Sequence, residues 1–137
     1  MPEELVNEIT QAITDVNVNA SKGSTTNIRH SLLNGLLSTG WSSEVAVSSN
    51  SEITITSVKN MVGLCLQTGN VARMYADLLK LQKLYIDDAI SAAVMVVPSP
   101  EVAKILGSNI TNSARLQNEL QVFKKVIYMP IVLIAME

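Results

Sequence analysis

Residues 89–97 form a run of strand length in which Ser91 is the one polar residue, and this run constrains the fold more than any other feature. A strand with one solvated face alternates apolar and polar side chains, because successive side chains point to opposite faces. This run does not alternate, so we expect it to be buried on both faces at the centre of a mixed sheet. A second apolar stretch, Pro130 to Met136, predicts another buried strand. Both are shorter than the roughly 18 residues that a membrane span needs, so we expect no membrane segment.

The hydrophobic period changes from about 3.6 to 2 after Gly40. This change divides one domain of 137 residues into a helical part, residues 1–39, and a core, residues 40–137. We predict an α/β (α+β) fold in which a mixed sheet is flanked by helices, in the order α-α-β-β-β-α-β-α-α-β. The expected elements are helices at 2–18 and 25–39, strands at 44–48, 52–56 and 62–67, a helix at 71–85, a strand at 89–97, helices at 98–106 and 111–126, and a strand at 130–136.

The three strands before the central helix are joined by tight turns, which predicts an antiparallel meander. In the second strand Ile53 and Ile55 share one face, which leaves Thr56 on the other. In the third strand Cys65 and Gln67 share a face, because positions i and i+2 point the same way. In the helix that follows, Asp77 is expected on the solvated side, where it can pair with neighbouring bases.

Charge and cysteine content exclude several classes of protein. The formal net charge is −2 and the pI is about 5.4, so bulk charge alone does not suit the chain to nucleic acid. Residues 16–86, however, contain six basic and three acidic residues, so a positive surface is possible. The ten basic residues of the whole chain would also fit an ordinary solvated surface. The single Cys65 excludes an internal disulfide and a zinc site built from several cysteines. We therefore expect a reducing, cytoplasmic location.

Several short segments carry a resemblance to a known family through their order and spacing. They are Gly40-Trp41, residues 55–60 (Ile-Thr-Ser-Val-Lys-Asn), residues 62–70 (Val-Gly-Leu-Cys-Leu-Gln-Thr-Gly-Asn), residues 72–80 (Ala-Arg-Met-Tyr-Ala-Asp-Leu-Leu-Lys), Val96-Val97-Pro98 and Leu106-Gly107-Ser108-Asn109. Together they resemble type II restriction endonucleases of the PD-(D/E)XK superfamily, within the BglII/BamHI-like group. The resemblance implies a restriction-endonuclease-like fold, which agrees with the order of elements expected from the residues.

The same resemblance implies an active site in which two acids and a third acid or amide hold Mg²⁺ for phosphodiester hydrolysis. It places the acids at Thr56 and Cys65 and the third group at Gln67, and of these only Gln67 fits the family's pattern. A neutral hydroxyl and a soft thiol match Mg²⁺ poorly, so we expect a degenerate site without metal ligands or a cofactor. Glu44 is the candidate for an auxiliary acid.

The family's enzymes act as dimers on two-fold symmetric DNA, so the resemblance implies a homodimer that binds double-stranded DNA. The candidate DNA contacts are Lys59, Arg73, Lys80 and Lys83. Four leucines of the second helix exceed what one side of a small core needs, which also favours a dimer: Leu32, Leu33, Leu36 and Leu37.

Three functions stay open at this point. The first is a restriction-endonuclease-like protein that binds DNA with impaired catalysis. The second is a homodimeric interaction or regulatory module that keeps the fold without binding DNA, which the net charge of −2 favours. The third is an active Mg²⁺-dependent type II site-specific deoxyribonuclease. A positive cleft over the face that carries Gln67 would favour DNA, whereas a neutral or acidic one would favour the interaction module.

Overall fold

The computed structural model describes residues 1–16 and 19–137. Its helices are α1 (Glu3–Thr14), α2 (Thr25–Ser38), α3 (Val71–Ile86), α4 (Pro100–Leu106) and α5 (Ser113–Val122). Its strands are β1 (Val45–Ala46), β2 (Thr54–Ile55), β3 (Ser57–Lys59), β4 (Val62–Leu66), β5 (Ala92–Pro98) and β6 (Ile131–Met136). The expected end of the first helix at Val18 and the expected start of the linker at Asn17 lie outside the described residues. In the described ranges, no helix combines the length and the hydropathy of a membrane span.

Four strands form the central mixed sheet in the order β3-β4-β5-β6. β3 runs antiparallel to β4, whereas β5 runs parallel to both β4 and β6. The run from Ala93 to Val97 in β5 is completely buried, and its side chains enter the hydrophobic cores on both faces. The central strand, covered on both faces, that the apolar run predicted is therefore confirmed.

Helices cover both faces of this sheet. α1, α2 and α4 pack on one face, where Leu64 and Leu66 of β4 enter the core. α3 and α5 pack on the other face, to which β4 contributes Cys65. The predicted mixed sheet flanked by helices is confirmed, and so is the alternation of side chains along β4.

The three strands predicted before the central helix do not form one meander. The chain bends at Thr56, where the predicted second strand (residues 52–56) ends, and four strands precede α3 instead of three. The part before the bend, β2, pairs with β1 in a separate two-stranded sheet, and the part after it, β3, pairs with β4. At the bend, the Thr56 hydroxyl accepts a hydrogen bond from the backbone N–H of Leu66 at 3.0 Å, so a side chain satisfies a strand donor there. Ile53 and Ile55, which were predicted to share one face, differ in burial: Ile55 is buried, whereas Ile53 precedes the paired residues of β2 and is 52% exposed.

The prediction that the leucines of α2 exceed what the core needs is also wrong. Leu32 and Leu36 are completely buried against the sheet, and Leu33 packs partly against the same core. Leu37 is 50% exposed. Most of this apolar stripe is therefore used within the fold, because α2 covers one face of the sheet.

Other differences lie at helix ends. Asn112 caps α5 through its side chain, and the helix ends at Val122 rather than at Val126. Pro98 belongs to β5 instead of opening a helix, and the side chain of Ser99 caps α4. Capping side chains, rather than the ends of the apolar pattern, determine where these helices begin.

Candidate active-site cleft

A cleft of about 550 Å³ opens at the carboxyl end of β4. The bend at Thr56 and residues 65–69 form its centre. Side chains of α2 line it on one side, and side chains of α3 line it on the other. The three positions that the family resemblance selects, Thr56, Cys65 and Gln67, all line this cleft.

Two of these three positions are buried. Thr56 uses its hydroxyl oxygen to accept the hydrogen bond from Leu66. Burial raises the pKa of the Cys65 thiol well above its ordinary value, and the negative charge of Asp77 raises this pKa further. The thiol is therefore protonated at neutral pH. A protonated thiol is a weak nucleophile and a poor metal ligand.

Gln67 is half-buried, and its side chain joins two parts of the cleft. Its Oε1 accepts a hydrogen bond from the backbone N–H of Gly69 at 2.9 Å. Its Nε2 donates to Asp77 Oδ2 at 2.7 Å. These two hydrogen bonds orient the amide and connect the end of β4 to the middle of α3.

Asp77 is the lining acid that sequence reasoning placed elsewhere. It was expected on the solvated side of its helix, but it is 6% exposed and faces the cleft. Lys80 Nζ lies 3.4 Å from Asp77 Oδ1, so both carboxylate oxygens have polar partners. This pairing offsets the cost of burying the charge. Its spacing could have indicated this burial, because Asp77 lies three residues after Met74 and four before Leu81, and both of these side chains are buried.

Three bases line the cleft. Arg73 and Lys80 come from α3, as expected, and Arg29 comes from α2. Arg29 is half-buried, and its Nη1 donates to the carbonyl oxygen of Leu66 at 3.0 Å. Sequence reasoning missed Arg29, because a contact 37 residues along the chain leaves no local pattern. The described lining residues thus carry three bases and one acid, and the cleft is positive overall.

The other two candidate DNA contacts do not line this cleft in the described residues. Lys59 forms an ion pair with Glu8 at 2.6 Å, which joins β3 to α1. Lys83 forms an exposed ion pair with Asp87 on α3 and donates to the carbonyl oxygen of Val47 at 3.0 Å. The basic residues that sequence reasoning grouped together therefore separate into two in the cleft and two outside it.

Glu44 lies beside the cleft and not in it. It is exposed, and its Oε2 accepts a hydrogen bond from the Thr54 hydroxyl at 3.4 Å. Thr54 itself lines the cleft. Glu44 is therefore connected to the lining of the cleft through the Thr54 side chain.

The donor set at the centre does not fit Mg²⁺, the ion that the fold family implies. Mg²⁺ prefers hard oxygen ligands with near-ideal octahedral geometry. The Thr56 and Gln67 oxygens already accept backbone hydrogen bonds, and the Cys65 sulfur is soft and protonated. In residues 1–16 and 19–137, no group of three or more His, Cys, Asp or Glu side chains could hold a metal ion.

A mixed sheet between helical layers, with a cleft where the hairpin strand β4 ends, defines a domain of the PD-(D/E)XK restriction-endonuclease fold. The chain belongs to the family described as restriction endonuclease BglII/BglIII, whose model matches residues 2–136. The solved structure of restriction endonuclease BglII complexed with a DNA 16-mer has a TM-score of 0.85 to this chain. The match covers 99% of this chain and 70% of that chain at 11% identity, and at this identity it shows the shared fold. A search of curated protein sequences gives no match.

Proposed function

We propose that the chain is a DNA-binding member of this family in which phosphodiester hydrolysis is impaired. The observation that carries the proposal is the chemistry of the three groups at the centre of the cleft: a hydroxyl, a protonated thiol and an amide at Thr56, Cys65 and Gln67. None of them supplies the negative charge that retains Mg²⁺. Without that ion, the family's means of activating water and stabilising charge on the phosphate is lost.

The basic lining of the cleft supports the DNA-binding half of the proposal. Arg29, Arg73 and Lys80 outnumber the one lining acid, and phosphate attracts such side chains. The relative with the same fold was solved as a complex with a DNA 16-mer. Arg73 and Lys80 are therefore the proposed backbone contacts among the residues selected from the sequence. Lys59 and Lys83 are left out because neither of them is among the described residues that line the cleft.

A cleavage assay tests the impaired catalysis. The purified protein is incubated with supercoiled plasmid in Mg²⁺, and nicked or linear products are measured on a gel. We expect none. Specific double-strand cleavage that is abolished by Gln67→Ala would contradict the proposal and would support an active nuclease, in which Glu44 and Asp77 are the nearby acids.

A second function, an interaction module that does not bind DNA, is favoured by the net charge of −2 and by the ion pairs of Lys59 and Lys83. Anisotropy of a labelled DNA duplex at low salt separates the two functions. Binding that weakens steeply with salt would support the first function. Complete absence of binding at low salt would support the second.

We also propose that the chain forms a homodimer through α3 and the segment from the last residue of α5, Val122, to Tyr128. These two elements lie side by side, because the Tyr75 ring contacts Phe123 and the Tyr85 ring contacts Tyr128. Large apolar side chains on them are exposed by 41–64%: Leu79, Ile86, Val122, Phe123, Val126 and Tyr128. Exposed apolar groups concentrated on adjacent elements are typical of protein–protein contacts.

A further inference from the structure

We infer that the cleft binds a phosphate of the DNA backbone through Arg29 and Arg73 without a divalent cation, while Asp77 positions Lys80 and Gln67 around them. This inference rests on the proposed DNA-binding function and assigns the chemistry of its contact site. It follows from the mismatch between the central donor set and Mg²⁺, since another source of positive charge must then neutralise the phosphate. The guanidinium groups supply that charge.

Arg29 is anchored in a way that leaves donors available. One of its five N–H groups donates to the Leu66 carbonyl oxygen at 3.0 Å. The described residues give Arg29 no ion pair. The side chain is half-buried and lines the cleft, and its hydrogen bond to Leu66 orients the guanidinium without a ligand. An oriented guanidinium matches the geometry of phosphate oxygens.

Arg73 approaches the cleft beside Gly69. A Cβ atom placed on Gly69 would lie 2.9 Å from Gln67 Oε1 and 3.4 Å from Arg73 Cδ. A larger residue would displace the Gln67 amide or crowd Arg73. Glycine therefore leaves the space that both side chains use, and within the described residues Arg73 also has no ion pair.

The negative charge of Asp77 is already compensated. Gln67 Nε2 donates to one carboxylate oxygen and Lys80 Nζ pairs with the other. Each partner is thereby held at the cleft, so Asp77 acts as a positioning residue. Because Lys80 balances Asp77, the charge offered to a ligand comes from the two arginines.

Duplex binding measured by anisotropy tests this inference, first in EDTA and then in Mg²⁺ or Ca²⁺ at matched ionic strength. We expect binding in EDTA to be at least as tight as with either cation. We expect Arg29→Gln and Arg73→Gln each to weaken binding several-fold and to reduce the slope of log K against log salt by about 0.9. The control is Lys104→Gln, an exposed base on α4 outside the cleft, which should leave the slope unchanged.

The outcomes separate the inference from the proposed function. Binding that requires a divalent cation, or equal effects of the arginine variants and Lys104→Gln, would overturn the inference while DNA binding stands. Absence of duplex binding at low salt would overturn the proposed function, and the inference with it. Arg73 is exposed, so Arg73→Gln tests the site even where Arg29→Gln lowers stability.

Discussion

The Gln67 amide and the Asp77 carboxylate meet at 2.7 Å, which connects the loop after β4 to the middle of α3. The amide replaces the water that an acid on a solvated helix face would bind. Since Gln67 also accepts from the Gly69 backbone, the hydrogen bond is part of a short chain from loop to helix. A pair of this kind contributes both to stability and to the shape of the cleft.

Gln67→Ala should lower the free energy of unfolding by about 1–3 kcal/mol, because it removes one of two partners of a buried carboxylate. Chemical denaturation measures the change. Gln11→Ala is a matched control, since Gln11 donates to Asp15 at 2.9 Å on an exposed surface. We expect the control to cost less than about 0.5 kcal/mol. An equal loss in free energy of unfolding for the two variants would show that the Gln67–Asp77 hydrogen bond stabilises the fold no more than an exposed one.

The Cys65 thiol should make stability fall at alkaline pH. Its pKa is raised in the fold, so the folded chain keeps a proton that the unfolded chain loses above the ordinary value of 9.0. Above that pH the unfolded state binds fewer protons, and the free energy of unfolding should decrease by about 1.4 kcal/mol per pH unit. Denaturation of the unaltered protein and of Cys65→Val across this range measures the difference. Identical pH dependence of the two proteins would contradict the expectation.

Restoring two carboxylates should restore affinity for Mg²⁺. Thr56→Asp combined with Cys65→Glu places two hard oxygen ligands in the cleft with Gln67, one at the bend between β2 and β3 and one on β4. We expect titration calorimetry to detect Mg²⁺ binding by the double variant and none by the unaltered chain. Thr10→Asp with Thr14→Glu adds the same charge on the exposed side of α1 and is the control. Similar heats for both double variants would indicate that added charge alone binds the ion.

The Lys59–Glu8 ion pair should stabilise the fold more than the Lys83–Asp87 pair. The side chains of the first pair are 19% and 16% exposed, whereas both of the second are 47% exposed. Double-mutant cycles with Lys59→Met and Glu8→Gln should give a coupling near 1 kcal/mol, and cycles on the exposed pair a value close to zero. The DNA affinity of Lys59→Met should stay unchanged. A loss of affinity comparable to that of Arg73→Gln would show that Lys59 does contact DNA.

Light scattering at micromolar concentration should report a dimer. Val126→Lys, after α5, and Leu79→Lys, on α3, should both shift the mass towards that of a monomer, because each places a charge in the exposed apolar surface. Leu37→Lys on α2 changes a side chain that is 50% exposed and should leave the mass unchanged. A monomeric unaltered protein, or a dimer that only Leu37→Lys dissociates, would contradict the proposed interface.

Much of the fold could be predicted because its signals are local. The unbroken run in β5 and the alternation in β4 follow directly from which faces are buried. The bend at Thr56 could not be predicted, since a hydroxyl bond to Leu66 across the hairpin decides it. In the cleft, the family resemblance selected Cys65 and Gln67, and strand geometry predicted only that they share a face. Arg29 depends on the packing of α2 against the end of β4, which leaves no local signal.

The two helices that line the cleft, α2 and α3, pack on different hydrophobic cores. α2 is held by the cluster that contains Leu32, and α3 by the cluster that contains Met74, on the opposite face of the sheet. The positions of Arg29 and Arg73 in the cleft therefore depend on two separate cores, one on each face of the sheet. We expect a change of side-chain volume in one core to shift the helix that packs on it relative to the other helix. The distance between the Arg29 and Arg73 guanidinium groups can thus be adjusted by substitutions at residues that do not contact DNA.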